Sequence, residues 1–181
     1  MKPTTAVLHA AFIAVFAVTA SHIDSRPADA AVIKQGEVCK RNNDHCITIG
    51  GGGDSVPFLV KSHTFNAPTA GTALVSFHGT MQCINDADVD DTSHGVIDLT
   101  TQIVIGAETP SFQAPGGQRH AMRLAPPGSF DHSVPVNLAS ARVLQLTQGK
   151  HTFSFKMVRN AMQELTTCHV HNGNFTVVFV P

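Results

Sequence analysis

Thr152-Phe153-Ser154-Phe155-Lys156-Met157 is the stretch on which the fold turns. Phe153, Phe155 and Met157 alternate with Thr152, Ser154 and Lys156. In an extended chain successive side chains point to opposite faces, so a period of two marks a strand with one apolar and one polar face. The same rhythm recurs on both sides of it. Ala73, Val75 and Phe77 alternate with Leu74, Ser76 and His78. Ile97, Leu99, Thr101, Ile103 and Ile105 alternate with Asp98, Thr100 and Gln102, and Phe175, Val177 and Phe179 close the chain in the same way.

Turn chemistry separates these runs at Asn66-Ala67-Pro68, Pro115-Gly116-Gly117, Pro126-Pro127-Gly128 and Gln148-Gly149-Lys150. Asn172-Gly173-Asn174, between two alternating segments, predicts a hairpin turn. Val136 to Leu146 fits a helix or an extended strand. Eight to ten short strands with regular turns define an all-β chain, a sandwich or barrel without a parallel sheet. Residues 56–181 carry this pattern. Residues 31–55 are polar, end in Gly50-Gly51-Gly52-Gly53, and read as an N-terminal extension, part strand and part loop. The glycine run is a connector, since a phosphate-cradling loop needs Gly-Lys-Ser/Thr and a following helix.

Residues 1–30 read as a signal peptide. Lys2 supplies a positive start, and Ala6 to Ala20 is an uncharged, mostly apolar run of 15 residues. That is short of the roughly 20 needed to span a bilayer. Small-residue cleavage patterns end at Ala20 and at Ala30, and the second has the A-x-A form. The expected location is secreted or periplasmic, with no transmembrane span after signal removal.

Composition narrows the function classes. Twelve basic residues against thirteen acidic ones leave no electrostatic footprint for nucleic acid. Eleven Phe with no Trp and no Tyr remove the amphipathic aromatics that sugar-binding and membrane-interface surfaces favour. Four cysteines, Cys39, Cys46, Cys83 and Cys168, read as two disulfides in an oxidising compartment. Of the three possible connectivities, Cys39–Cys46 and Cys83–Cys168 are expected. No C-x-x-C spacing supports a metal site instead.

The second pairing sets a register. If Cys83 opposes Cys168 in an antiparallel pair, Met81 faces Val170, and Phe77, Met81, Cys83, Cys168 and Val170 share an apolar face. The opposite face then gathers His78, Thr80, Gln82, His169 and His171. A one-residue slip would mix the two sets. Three histidines on one face could hold Zn²⁺ or Cu²⁺ through neutral imidazole, and the bland alternative is a plain polar outer face. Several isolated histidines, such as His45, His63, His94, His120 and His132, read as solvated or locally hydrogen-bonded loop residues. Asp86-x-Asp88-x-Asp90-Asp91 has the alternating oxygens of a calcium loop. Asp91 stands where glycine is needed, however, and Ile97 where glutamate is needed, so a solvated acidic loop is the better reading. No G-x-S-x-G elbow and no H-E-x-x-H exist.

Leu144-Gln145-Leu146-Thr147-Gln148-Gly149-Lys150-His151-Thr152-Phe153-Ser154-Phe155, followed by Cys168 through Pro181, resembles the closing strands of jelly-roll domains of the tumour-necrosis-factor-like and complement-globular-head class. The resemblance covers about a fifth of the chain. It implies a ten-strand jelly roll, often a homotrimer, used for adhesion or recognition. The prediction is therefore a single antiparallel β-sandwich of jelly-roll type. It serves as an exported binding or structural module, with a histidine-based metal-binding protein as the alternative and an enzyme third.

Overall fold

The computed structural model describes residues 32–39, 47–50, 56–88 and 90–181. The expected signal peptide, Cys46 and the glycine run beyond Gly50 lie outside them, as does the expected Cys39–Cys46 pairing. No described cysteine is a free thiol.

Nine strands form two antiparallel sheets: β1 (Val32–Val38), β2 (Ile47–Gly50), β3 (Phe58–Ala67), β4 (Gly71–Asn85), β5 (Gly95–Ile105), β6 (Gln118–Leu124), β7 (Ser133–Leu146), β8 (Gly149–Met162) and β9 (Thr166–Val180). One sheet, here sheet A, runs β1-β9-β4-β7, with β2 also paired to β9; the other, sheet B, runs β3-β8-β5-β6. The logic is that of one long hairpin. Val38 lies opposite Gly173, Phe65 opposite His151, Ala73 opposite Leu144 and Leu99 opposite His120, so the chain folds back around residues 106–117. From β3 to β9 every connection except β5–β6 crosses between the sheets. That wraps the double strand into a jelly roll. Val136 to Leu146 is strand, and β1 and β2 of the N-terminal extension are members of sheet A.

Phenylalanine fills the interior. Phe77, Phe175 and Phe179 of sheet A and Phe65, Phe153 and Phe155 of sheet B are fully buried. Phe77 and Phe155 stack across the two layers with centroids 3.8 Å apart. Asn172-Gly173-Asn174 is not a turn. Gly173 sits inside β9 opposite Gly79, and the Phe77 ring lies across both glycines. A β-carbon on Gly173 would come within 2.5 Å of that ring. Glycine here serves close approach rather than chain reversal.

Cys83 and Cys168 are bonded across β4 and β9 and fully buried. Their register holds from Met81–Val170 to Asn85–Thr166. It then shifts by one, because Thr80 pairs with Asn172 and His171 is left over as a β-bulge.

Two polar knots close the ends. The buried Asn85 donates its Nδ2 to the carbonyls of Ser93 (2.9 Å) and Ala125 (3.1 Å), tying together the segments that follow β4 and β6. An Asn85→Ala variant leaves both carbonyls without that donor. It should lose about 2–3 kcal/mol of stability in urea melts.

At the other end Glu108 Oε2 accepts from Ile105 N (3.0 Å) and from Arg142 Nη1 (2.7 Å), and Arg142 also donates to the Ile103 carbonyl. The Ile105 N–H, then the Arg142 guanidinium, hold the Glu108 carboxyl below its ordinary value of 4.5. A carboxylate whose pKa is lower in the folded chain stabilises it above the unfolded-state value. That contribution fades as pH falls below about 4.5 through the folded-state value. Glu108→Gln should flatten this part of the acid limb in melts recorded from pH 6 to pH 3, leaving the Asp98–Arg119 pair to supply the slope that remains.

Candidate functional site

The outward faces of the two sheets differ in kind. Sheet B is a charged surface partly covered by its own chain. Arg119 grips Asp98 (Nε to Oδ1, 2.9 Å), and these hydrogen bonds hold the Asp98 carboxyl below its ordinary value. Gln102 donates to the Pro115 carbonyl and accepts from Ser111 N, so the loop at 106–117 lies over this face, on which Val104 is buried. Beyond the loop, Ser62–Ser154 and Thr64–Thr152 hydrogen bonds line the β3–β8 pair.

Sheet A carries no such cover among the described residues. Its outward positions follow from the register, because the inward ones are the buried core. At one end Val178, Leu74 and Val143 form an apolar row across β9, β4 and β7, with Leu74 43% and Val143 69% exposed. The next row is Thr176, Ser76 and Ala141, and then Asn174, His78 and Ala139. Beyond these come Asn172, Thr80 and Asn137, with Thr80 Oγ1 donating to Asn172 Oδ1 (2.9 Å). His169, Gln82 and Pro135 follow, and Gln82 donates to Ser133 Oγ (2.7 Å).

Among the described outward side chains of this sheet, Glu37 at the β1 margin is alone in carrying a full charge; lysine and arginine are absent. Ser76, Ala139 and Ala141 are the small residues near its centre. A solvent-facing sheet is ordinarily guarded by charge, and lysine in particular discourages edge and face association. The described face presents alternating hydrogen-bonding groups with an apolar row at one end.

The three histidines expected on one face of this sheet lie along β4 and β9. His78 and His169 stand opposite Asn174 and Gln82, which puts them four β4 residues apart, about 13 Å along the strand. His171 is the half-buried bulge residue between them. His169 Nδ1 shares a hydrogen bond with Thr48 Oγ1 (3.1 Å) of β2. Among the described residues no group of three or more His, Cys, Asp or Glu is arranged to hold a metal ion. In an unbroken register His171 would stand opposite Thr80 between the other two, and the bulge takes it out of that position; the separation of His78 and His169 along β4 is the same either way. Asp86, Asp88, Asp90 and Asp91 form no such group either, and Asp91 Oδ1 accepts from Ser93 N (2.7 Å).

Two histidines read as loop residues are strand residues that face inward. His63 on β3 stacks against Phe175 with centroids 6.0 Å apart. His120 on β6 meets Thr101 Oγ1 at 3.1 Å, and burial lowers its pKa. The β7 contribution to the sheet A face, Asn137, Ala139 and Ala141, went unnoticed in the sequence. Applying the same two-residue parity to Ser133–Leu146 would have found it.

No family model matches the chain, and no curated protein matches it. Solved structures similar to it include three from infectious bursal disease virus. These are the Gx strain (13% identity, TM-score 0.45), the Gt strain (11%, 0.44) and the VP2 subviral particle (15%, 0.42). Each match covers 84% of this chain and 33% or 34% of the other, so the chain spans about a third of the length of those proteins. None of the three belongs to the tumour-necrosis-factor-like class that the C-terminal strands resemble.

Proposed function

We propose that this chain is an exported, non-catalytic recognition module that works through the outward face of sheet A. The observation that carries the reading is the near-absence of charge on that face, in a protein whose other sheet is charged and partly covered. Export is supported by the Lys2 start, the apolar run to Ala20 and the small-residue patterns at Ala20 and Ala30. The buried Cys83–Cys168 bond fits a non-reducing compartment. Among the described residues no helix is long and apolar enough to cross a membrane.

Paired lysine substitutions test the reading. Ala141→Lys with Asn174→Lys places two charges on the face at exposed positions. Thr64→Lys with Thr152→Lys does the same on sheet B. In gentle extracts of the producing organism the native protein should elute by gel filtration in a species larger than its own mass. The sheet A variant should elute as a monomer and the sheet B variant as the wild type, with thermal melts confirming that both are folded. A monomeric native protein, or an assembly indifferent to the sheet A charges, contradicts the proposal.

A further inference from the structure

We propose that the occupant of the sheet A face is a second copy of the same chain, packed sheet against sheet about a twofold axis. This rests on reading that face as a contact surface, and it adds the identity of what covers it. Three observations point to self-association.

The first is area. β4 has 15 residues. With β9 (15 residues), β7 (14) and the short β1 and β2 along the far side of β9, strands spaced roughly 4.8 Å apart and rising about 3.3 Å per residue present on the order of 700–900 Å². A stable protein–protein interface covers about 800 Å² on each partner.

The second is relief. Stacked sheets approach to about 10 Å only when facing side chains are modest. The row Thr176–Ser76–Ala141 and the neighbouring Ala139 place small residues beside the centre of the face, where His78 and Asn174 are the larger side chains.

The third is chemical symmetry. A face whose described residues carry one charge, at its margin, offers little to an anionic or cationic partner and would leave a partner's charges desolvated and unpaired. Its asparagine and glutamine amides and its hydroxyls both donate and accept, so an identical face can satisfy them. The same amides make it unsuited to a lipid surface, and it has no aromatic platform for a sugar. The Leu74–Val143–Val178 row supplies the apolar anchor, and Glu37 sits at the margin, where it stays solvated.

Sedimentation velocity on the purified, disulfide-intact protein across a hundredfold range of concentration tests this. A monomer–dimer equilibrium is expected. Val143→Lys and, separately, Ala141→Glu should each raise its dissociation constant by more than about tenfold, while Thr152→Lys leaves it unchanged. Both face positions are exposed, so folding is preserved, and circular dichroism verifies it. A protein that stays monomeric throughout overturns the second-copy proposal. So does a dimer or trimer whose stability ignores the face substitutions. If the purified protein is monomeric while the native extract holds a larger, charge-sensitive species, the second copy is excluded and the contact surface stands. If neither associates, both fall.

Discussion

Alanine at Phe77 will cost the fold about 3–5 kcal/mol, the cost of emptying a fully packed aromatic site. Three structural roles meet in this ring. It stacks on Phe155 of the opposite sheet, tilts against Phe175, and lies across the backbone of Gly79 and Gly173. Truncation therefore opens a void between the layers and exposes a stretch of β4 and β9 that has no side chains of its own. Domains of this size have roughly 5–15 kcal/mol in hand, so the variant should be marginal at 37 °C. Urea unfolding followed by circular dichroism measures it. Phe77→Leu, which keeps much of the volume, should recover about half of the loss. A Phe77→Ala midpoint within about 1 kcal/mol of wild type would mean that the ring is not at the centre of the interior.

The second large effect belongs to the Cys83–Cys168 bond. It joins residues 85 apart in sequence. Removing such a cross-link frees the unfolded chain, and the chain-entropy account puts the loss at about 4–5 kcal/mol. In a chain of this length that corresponds to a fall in melting temperature of roughly 10–15 °C. The Cys83→Ala, Cys168→Ala double variant should show it. Because both sulfurs are buried, reductant should have little effect on the folded wild type and should produce the same fall only after one cycle of unfolding. A wild type that melts at the temperature of the double variant would contradict the account.

Much of this fold is legible in its sequence, and the reason is local. Alternation between Phe153–Phe155–Met157 and Thr152–Ser154–Lys156 reports a pleated strand with one buried face, and the strand keeps its period wherever it runs. The cysteine pair fixed the register between Met81 and Asn85 correctly because it is a direct distance constraint. Register was lost at His171, where a bulge inserts a residue that no propensity announces. Asn172-Gly173-Asn174 was misread for a related reason. Glycine answers both to turns and to crowded approach, and only the neighbouring Phe77 ring tells which applies.

Sheet assignment lay further out of reach. That β1 and β2 pair with β9, or that β7 shares a face with β4, depends on contacts between residues far apart in the chain. The place of His171 was lost with the register, and the scarcity of charge at the described outward positions of sheet A could not be read before β1, β2, β4, β7 and β9 were assigned to one sheet.

Carbethoxylation of His78, read by mass spectrometry, tests the central claim most directly. His78 is exposed at the middle of the sheet A face, while His132 lies at the loop end of the sandwich. In dilute purified protein both should react. In the protein as it exists in its native extract, His132 should react as before and His78 should be protected, because the uncharged face is covered. Equal labelling of His78 in the two preparations would show that the face is open to solvent where the protein works.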